Sequence, residues 1–366
     1  MIYDKSLSEY PRLAGETDDS PRLRRAVADC ANGILYIPRG VYLLASPIVV
    51  DNFASLYMHH AAILRAATEM DFVVTWDGGA QYENLIVRTP DGEIFDNLNM
   101  FIRGGDIDGA GLASCLCVRH YHHFTLSDIA LHNGKKYGLY TGGGHGYELI
   151  ANNVYAKCTL SGLAGNCGIC SRLSDSHYTD CIIVDYTVGM EIAGSSNRLT
   201  RCHVWGGIVK PLHGYTQDEW CALYNKRKFG APDAGSPDSW FSDNLPEMLY
   251  DSVCFKISGC SNNLEVCYAD TGMTGYLMSG GDNYLNCCQS YNNTRFGMDG
   301  DTIIRHTGGA LHLSGCVFRK CAPNTKLYEG SGKGLYILDT ATAGTDDFRF
   351  PNPAADSSGR LNPYAG

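Results

Sequence analysis

Two tetrapeptides, Tyr178-Thr179-Asp180-Cys181 and Leu199-Thr200-Arg201-Cys202, repeat one pattern 21 residues apart: an apolar residue, two variable residues, a cysteine. Leu264-Glu265-Val266-Cys267, Leu285-Asn286-Cys287-Cys288 and Leu313-Ser314-Gly315-Cys316 continue it, and weaker versions end at Ile129 and Asn153. The successive intervals are 24, 28, 21, 65, 21 and 28 residues. A recurring period of this size is the signature of a solenoid, in which each coil buries its apolar side only against its neighbours. The 65-residue interval marks one long interruption.

Strand side chains alternate between faces, so a cysteine and the apolar residue three before it cannot both point inward without a bend or bulge. The reading adopted is that the cysteine and the residue two before or after it point inward. Asp128, Asn152, Asp180, Arg201 and Val266 then stack on the outer face. A second phrase follows about eight residues later: Gly138-Leu139-Tyr140, Gly168-Ile169-Cys170, Gly189-Met190-Glu191, Gly207-Ile208-Val209, Gly275-Tyr276-Leu277 and Gly297-Met298-Asp299. Here glycine is expected to make the bend, the next residue to point in and the third to point out. Glu191 and Asp299 become outward carboxylates.

A repeat array makes length a poor counter of domains, so the 366 residues are expected to form one domain, 1–366. The formal charge is −10 and no Lys/Arg cluster appears, which argues against a nucleic-acid partner. No apolar run approaches the roughly 20 residues that cross a bilayer, so no membrane partner is expected. An acidic chain repels polyanions, which favours a neutral substrate over pectate or alginate unless a local basic patch intervenes. The start, Met1-Ile2-Tyr3-Asp4-Lys5, lacks a basic-then-apolar signal segment. The 16 cysteines therefore read as free buried thiols in a reducing cytoplasm. Cys115 and Cys117, Cys167 and Cys170, and Cys287 and Cys288 are explained by the ladder, and His120-Tyr121-His122-His123 alternates faces. No metal and no cofactor is expected.

Residues 18–30 read as a short helix with Pro21 in its first turn. Gly33-Ile34-Leu35-Tyr36-Ile37-Pro38-Arg39-Gly40-Val41-Tyr42-Leu43-Leu44 follows as two strands around a turn. This opening resembles the start of the pectate-lyase-like superfamily, whose helix caps the end of a right-handed parallel β-helix. Gly104-Gly105-Asp106-Ile107-Asp108-Gly109 resembles a turn phrase common in such folds, so Asp106 and Asp108 read first as structural. The resemblance implies an all-β, single-stranded right-handed parallel β-helix with an N-terminal capping helix. One loop insertion falls at about 209–252, and an irregular tail at about 340–366. Long excursions from a solenoid cluster on a binding face.

Asp180 and Glu191 lie eleven residues apart in one repeat, and paired carboxyls across a cleft are what glycoside chemistry needs. The run Thr179-Asp180-Cys181-Ile182-Ile183-Val184-Asp185-Tyr186-Thr187-Val188-Gly189-Met190-Glu191-Ile192-Ala193-Gly194 resembles the catalytic coil of the inulin fructotransferases and difructose-dianhydride hydrolases, glycoside hydrolase family 91. That resemblance implies cleavage of a fructosyl linkage in an oligosaccharide without a cofactor, by hydrolysis or intramolecular transfer. Glu191 would be the acid and Asp180 the base, in a homotrimer. Candidate substrate-binding residues are Arg201, His203, Trp205, Lys210, His213, Trp220, Trp240 and Asp299. Two rivals remain open: a polysaccharide lyase or sugar epimerase on the same fold, with calcium-binding acids, or a Tyr or His base, and a nearby Arg or Lys, and a non-catalytic glycan-binding β-helix.

Overall fold

The computed structural model describes residues 3–79, 87–88, 94–95, 99–159, 165–205, 252–270, 272–291, 302–320, 325–331, 333–344 and 349–350. The excursion expected at about 209–252, with Lys210, His213, Trp220 and Trp240, lies outside the described residues up to 251, as does Asp299. Apart from the antiparallel pair Val87–Arg88 and Ile94–Phe95, the described strands stack in parallel into three columns. His177–Thr179, Ile182–Val184 and Val188–Ile192 form one coil, each bonded to its counterpart in the next. The third column stands apart as a 10-stranded sheet, while the first two are joined through the continuous strands Tyr121–His132 and Gly146–Lys157. The helix Ser20–Ala28 has Pro at its start and buries Leu23, Ala26 and Val27 in the same core as Ile48 and Val50 of the first coil.

The chain passes from first to second column on a single left-handed residue. These are Asp128 (φ 55°), Asn153 (52°), Asp180 (54°), Arg201 (53°), Val266 (54°) and Cys287 (52°). That one-residue bend changes the strand parity, so Tyr178, Cys181 and Ile183 are all fully buried. The expectation that the cysteine pairs with a residue two positions before it is corrected accordingly, because Thr179 is only half-buried. The corner residue of its coil is Asn153 rather than Asn152, which is a strand residue opposite Ser127 and Thr179. The inward position there is Val154, opposite Ile129, one residue beyond the weak match at Asn153.

Cysteine suits the inside of this corner because it is small, apolar and able to donate weakly. Cys202, Cys267, Cys288 and Cys316 direct Sγ at the carbonyls of Tyr178, Leu199, Leu264 and Leu285 on the preceding coil, at 3.4, 3.4, 3.3 and 3.2 Å. The opposite corner uses amides: Asn197 Nδ2 donates to Asn262 Oδ1 at 3.1 Å, and Asn262 Nδ2 to Asn283 Oδ1 at 3.2 Å. Both ladders satisfy buried polar groups coil by coil, as an interior without water requires.

The glycine of the second phrase does not make a bend. Gly189 lies inside the strand Val188–Ile192, and a Cβ there would stand 2.2 Å from Val204 Cγ1 and 2.6 Å from the Cys254 carbonyl oxygen. Glycine is needed for close approach of the third column to the second. The outward placing of the third residue holds for Glu191, whose neighbours Met190 and Ile192 are fully buried. The tail also begins later than 340, because Ala341–Ala343 pairs with Val317–Arg319 as a further rung.

Candidate functional site

The two carboxylates of the glycosidase reading occupy different faces. Asp180 sits at the corner between the first and second columns, where Arg201, the corner residue one coil on, holds it with two hydrogen bonds of 2.8 and 2.7 Å. That guanidinium lowers the Asp180 carboxyl below the usual range, against a small opposing effect of burial. Glu191 projects from the third column, between Arg172 at 2.9 Å and Lys256 at 3.4 Å, and its side chain is 13% exposed. The eleven-residue spacing carries the chain past a corner, with Asp180 at the corner between the first two columns and Glu191 on the third. Arg201 is likewise taken up at its corner.

The outer face of the second column gathers a different set. On each strand the residues one and three beyond the inward residue, such as Ile182 and Val184 beyond Cys181, lie on the side away from the core, although Asp108 and Val184 are themselves buried. Reading down the third position, the register aligns Asp108, His132, Lys157, Val184, Trp205 and Asp270. The first position gives Asp106, Ala130, Tyr155, Ile182, His203 and Tyr268.

Two clusters stand out on this face. In the first, His132 Nδ1 meets Asp106 Oδ2 at 2.7 Å, and the Tyr155 ring lies edge-on to the imidazole at 6.0 Å. The carboxylate raises the His132 pKa above its ordinary value, more than burial and the neighbouring Lys157 lower it. Nε2 of His132 forms no hydrogen bond, and Lys157 no ion pair, among the described residues. The second oxygen of Asp106, Oδ1, is buried without a partner. Asp108 beside it is structural, as expected: it is buried, bound by Arg65 at 2.7 Å, and accepts the Ala110 backbone N–H at 2.8 Å.

The second cluster contains His203, Trp205, Tyr268 and Asp270. The His203 and Tyr268 rings stack at 4.6 Å, and His203 Nε2 stands 3.9 Å from Asp270 Oδ2. Nε2 and Asp270 Oδ1 are both shielded from solvent and, among the described residues, lack hydrogen-bond partners. The structure thus keeps His203 and Trp205 together from the sequence candidates, and adds Asp106, His132, Tyr155, Lys157, Tyr268 and Asp270. A signal for the additions was present: taking the residue three after each inward corner residue spells out the row, once the corner is known to turn on one residue.

No family model matches the sequence, and neither does any curated protein. Solved structures do match. The A-module of a mannuronan C-5 epimerase from Azotobacter vinelandii aligns at a TM-score of 0.51 and 12% identity, over 93% of this chain and 96% of that one. An endo-xylogalacturonan hydrolase from Aspergillus tubingensis aligns at 0.53 and 10% identity, over 93% and 97%. At such identities the likeness is one of fold, and function has to be argued from the site. The parallel three-column stack and these alignments over nearly the whole chain establish that the protein has the pectate-lyase-like, right-handed parallel β-helix fold.

Proposed function

We propose that the protein is a carbohydrate-active enzyme that abstracts a proton beside the carboxylate of a uronic-acid residue in a glycan, with β-elimination as the outcome. The observation that supports this reading is the Asp106–His132 contact of 2.7 Å, which orients the imidazole; among the described residues Nε2 has no hydrogen bond and Lys157, its register neighbour, no ion pair. Asp106 fixes the tautomer and strengthens the base, and Lys157 neutralises the substrate carboxylate so that the adjacent C–H becomes acidic. His132 Nε2 takes the C5 proton, and the C–H electrons form the C4=C5 bond. The C4–O bond breaks, and the leaving oxygen takes the Tyr155 hydroxyl proton, which the protonated imidazole and solvent then restore. The acidic chain as a whole disfavours polyanions, so Lys157 supplies the local positive charge that the reading needs.

Fructosyl cleavage by Asp180 and Glu191 would need both carboxyls on one cleft, about 5 to 10 Å apart. Their separate faces and separate cations do not favour it. Incubation with polygalacturonate, alginate, inulin and difructose dianhydrides distinguishes the two. An unsaturated, ultraviolet-absorbing product lost in His132→Ala is the expected result. Neutral sugars released from the fructans, with His132→Ala unaffected, would overturn it.

A further inference from the structure

We infer that the outer face of the third column binds a glycan in which a uronate alternates with an uncharged sugar residue. That the anion is borne by a sugar rests on the carbohydrate-active reading; the elimination at His132, on another face, is no part of the inference. Period, exposure and the chemistry between the charges carry it.

The period is the first observation. Arg119, Arg172, Lys256 and Arg305 fall on alternate coils of this column. Arg119 and Arg172 stand two residues beyond Cys117 and Cys170, the register partners of Tyr140, so the line of cations runs slightly oblique to the axis. At about 4.8 Å per coil the cations recur roughly every 10 Å, and an extended glycan with about one sugar residue per coil meets one at every second residue. This is a local run of positive charge on a chain whose formal charge is −10.

The second observation is that the face is open. The four cationic side chains are 40, 42, 37 and 41% exposed. Asp77 and Glu191, at 15 and 13%, lie lower and hold the cations in place from beneath. Pairs of this half-exposed kind are weak, and a guanidinium has five N–H donors, so a substrate carboxylate can share each cation.

The third lies on the coils between. Tyr140 separates Arg119 from Arg172, and Leu277 separates Lys256 from Arg305; both are uncharged and half-buried. A Cβ at Gly142 would stand 2.8 Å from the Tyr140 hydroxyl, which therefore takes the place of a side chain between the two arginines. Phe72 and Tyr137, at 6.0 and 4.8 Å, steady that ring. Glu191, on the coil between Arg172 and Lys256, repels a second carboxylate there. A chain charged at every residue would set carboxylates against Glu191 and Leu277, whereas an alternating one sets neutral residues there.

The test is calorimetric titration of full-length wild-type and His132→Ala proteins. The probes are a hyaluronan octasaccharide, in which glucuronate alternates with neutral N-acetylglucosamine, and octamannuronate, charged at every residue. The hyaluronan octasaccharide is expected to bind at least about 5-fold tighter in both proteins. Arg172→Gln and Arg305→Gln should each weaken it by about 5-fold or more. Leu277→Lys, which puts a cation on an intervening coil, should move the preference toward octamannuronate. Urea denaturation of these surface variants checks that they fold. Octamannuronate or a single-stranded DNA oligomer binding as tightly as hyaluronan, no binding of hyaluronan, or an affinity indifferent to both arginine variants would overturn the inference. If hyaluronan binds as expected but no uronate glycan yields an unsaturated product, this face stands and the elimination reading fails.

Discussion

Glu191 and His132 both project from β-helix faces, yet their surroundings differ in what they leave open. Glu191 has a cation close on either side, Arg172 at 2.9 Å and Lys256 at 3.4 Å, and its charge is spent within the fold. Among the described residues His132 has one hydrogen-bond partner, Asp106, which holds Nδ1, and none at Nε2. The lesson is that an outward acid on a solenoid is defined by the coils above and below it. A carboxylate flanked by cations is a rung in a charge ladder, whereas an oriented imidazole beside an uncommitted lysine is prepared for proton transfer.

The largest effect that would break this comparison is catalytic. His132→Ala should lower kcat/KM on the uronate glycan by about 10²–10⁴-fold, the usual worth of a general base, while Glu191→Gln stays within a few-fold of wild type. Steady-state rates of the two purified variants check it, and the reverse ranking would return the function to Glu191.

Next in size is a packing effect that tests whether the third column needs its glycines. Gly189→Ala places a methyl 2.2 Å from Val204 Cγ1, and overpacking of this kind costs about 1–3 kcal/mol. The midpoint of urea denaturation should fall by a corresponding amount, and Glu191, two residues on, should lose its register with Lys256.

The pH dependence sharpens the contrast further. Asp106 and Asp108 hold a proton on His132 while Lys157 and burial oppose it, and the balance raises the pKa above the ordinary 6.5. A general base must be neutral, so kcat/KM should rise with pH through a limb lying above that value, and Asp106→Asn should move the limb to lower pH. The same shift has a stability consequence. The folded pKa is raised, so the stabilisation is fully present below the unfolded pKa and is lost as pH rises through the folded one. Denaturation midpoints measured across that window should decline, and Asp106→Asn should flatten the decline.

The smallest effect concerns the corner between the two faces. Val266 holds a left-handed φ of 54° that a β-branched residue adopts at a cost of about 1–2 kcal/mol, and its side chain is exposed. Val266→Gly should therefore raise the unfolding free energy read from urea denaturation by about 1 kcal/mol or less, since the glycine also gains unfolded-state entropy. A loss of stability would show that the valine packs against a neighbour.

The sequence by itself determined the solenoid, its capping helix and the inward place of the ladder cysteines, but not that Cys260 and Cys287 are exposed, Cys287 because it occupies the left-handed corner itself. Period and polarity are local properties, and every coil must bury the same positions against the next. Cys181 and Cys202 could be placed on that ground alone, and so could the outward direction of Glu191, whereas the burial of Tyr178, three residues before its cysteine, depends on the one-residue bend at Asp180. Which outward residues share a face was decided only by the tertiary structure. A single left-handed residue at Asp180 or Arg201 reverses strand parity and turns the chain onto a new column, and such a bend leaves no composition signal when Asp, Asn, Arg, Val and Cys all occupy it. The spacing of eleven residues from Asp180 to Glu191 therefore measured chain length around a corner. The separation of His132 from Lys157 by 25 residues, which joins neighbours on adjacent coils, was legible only once that corner was fixed.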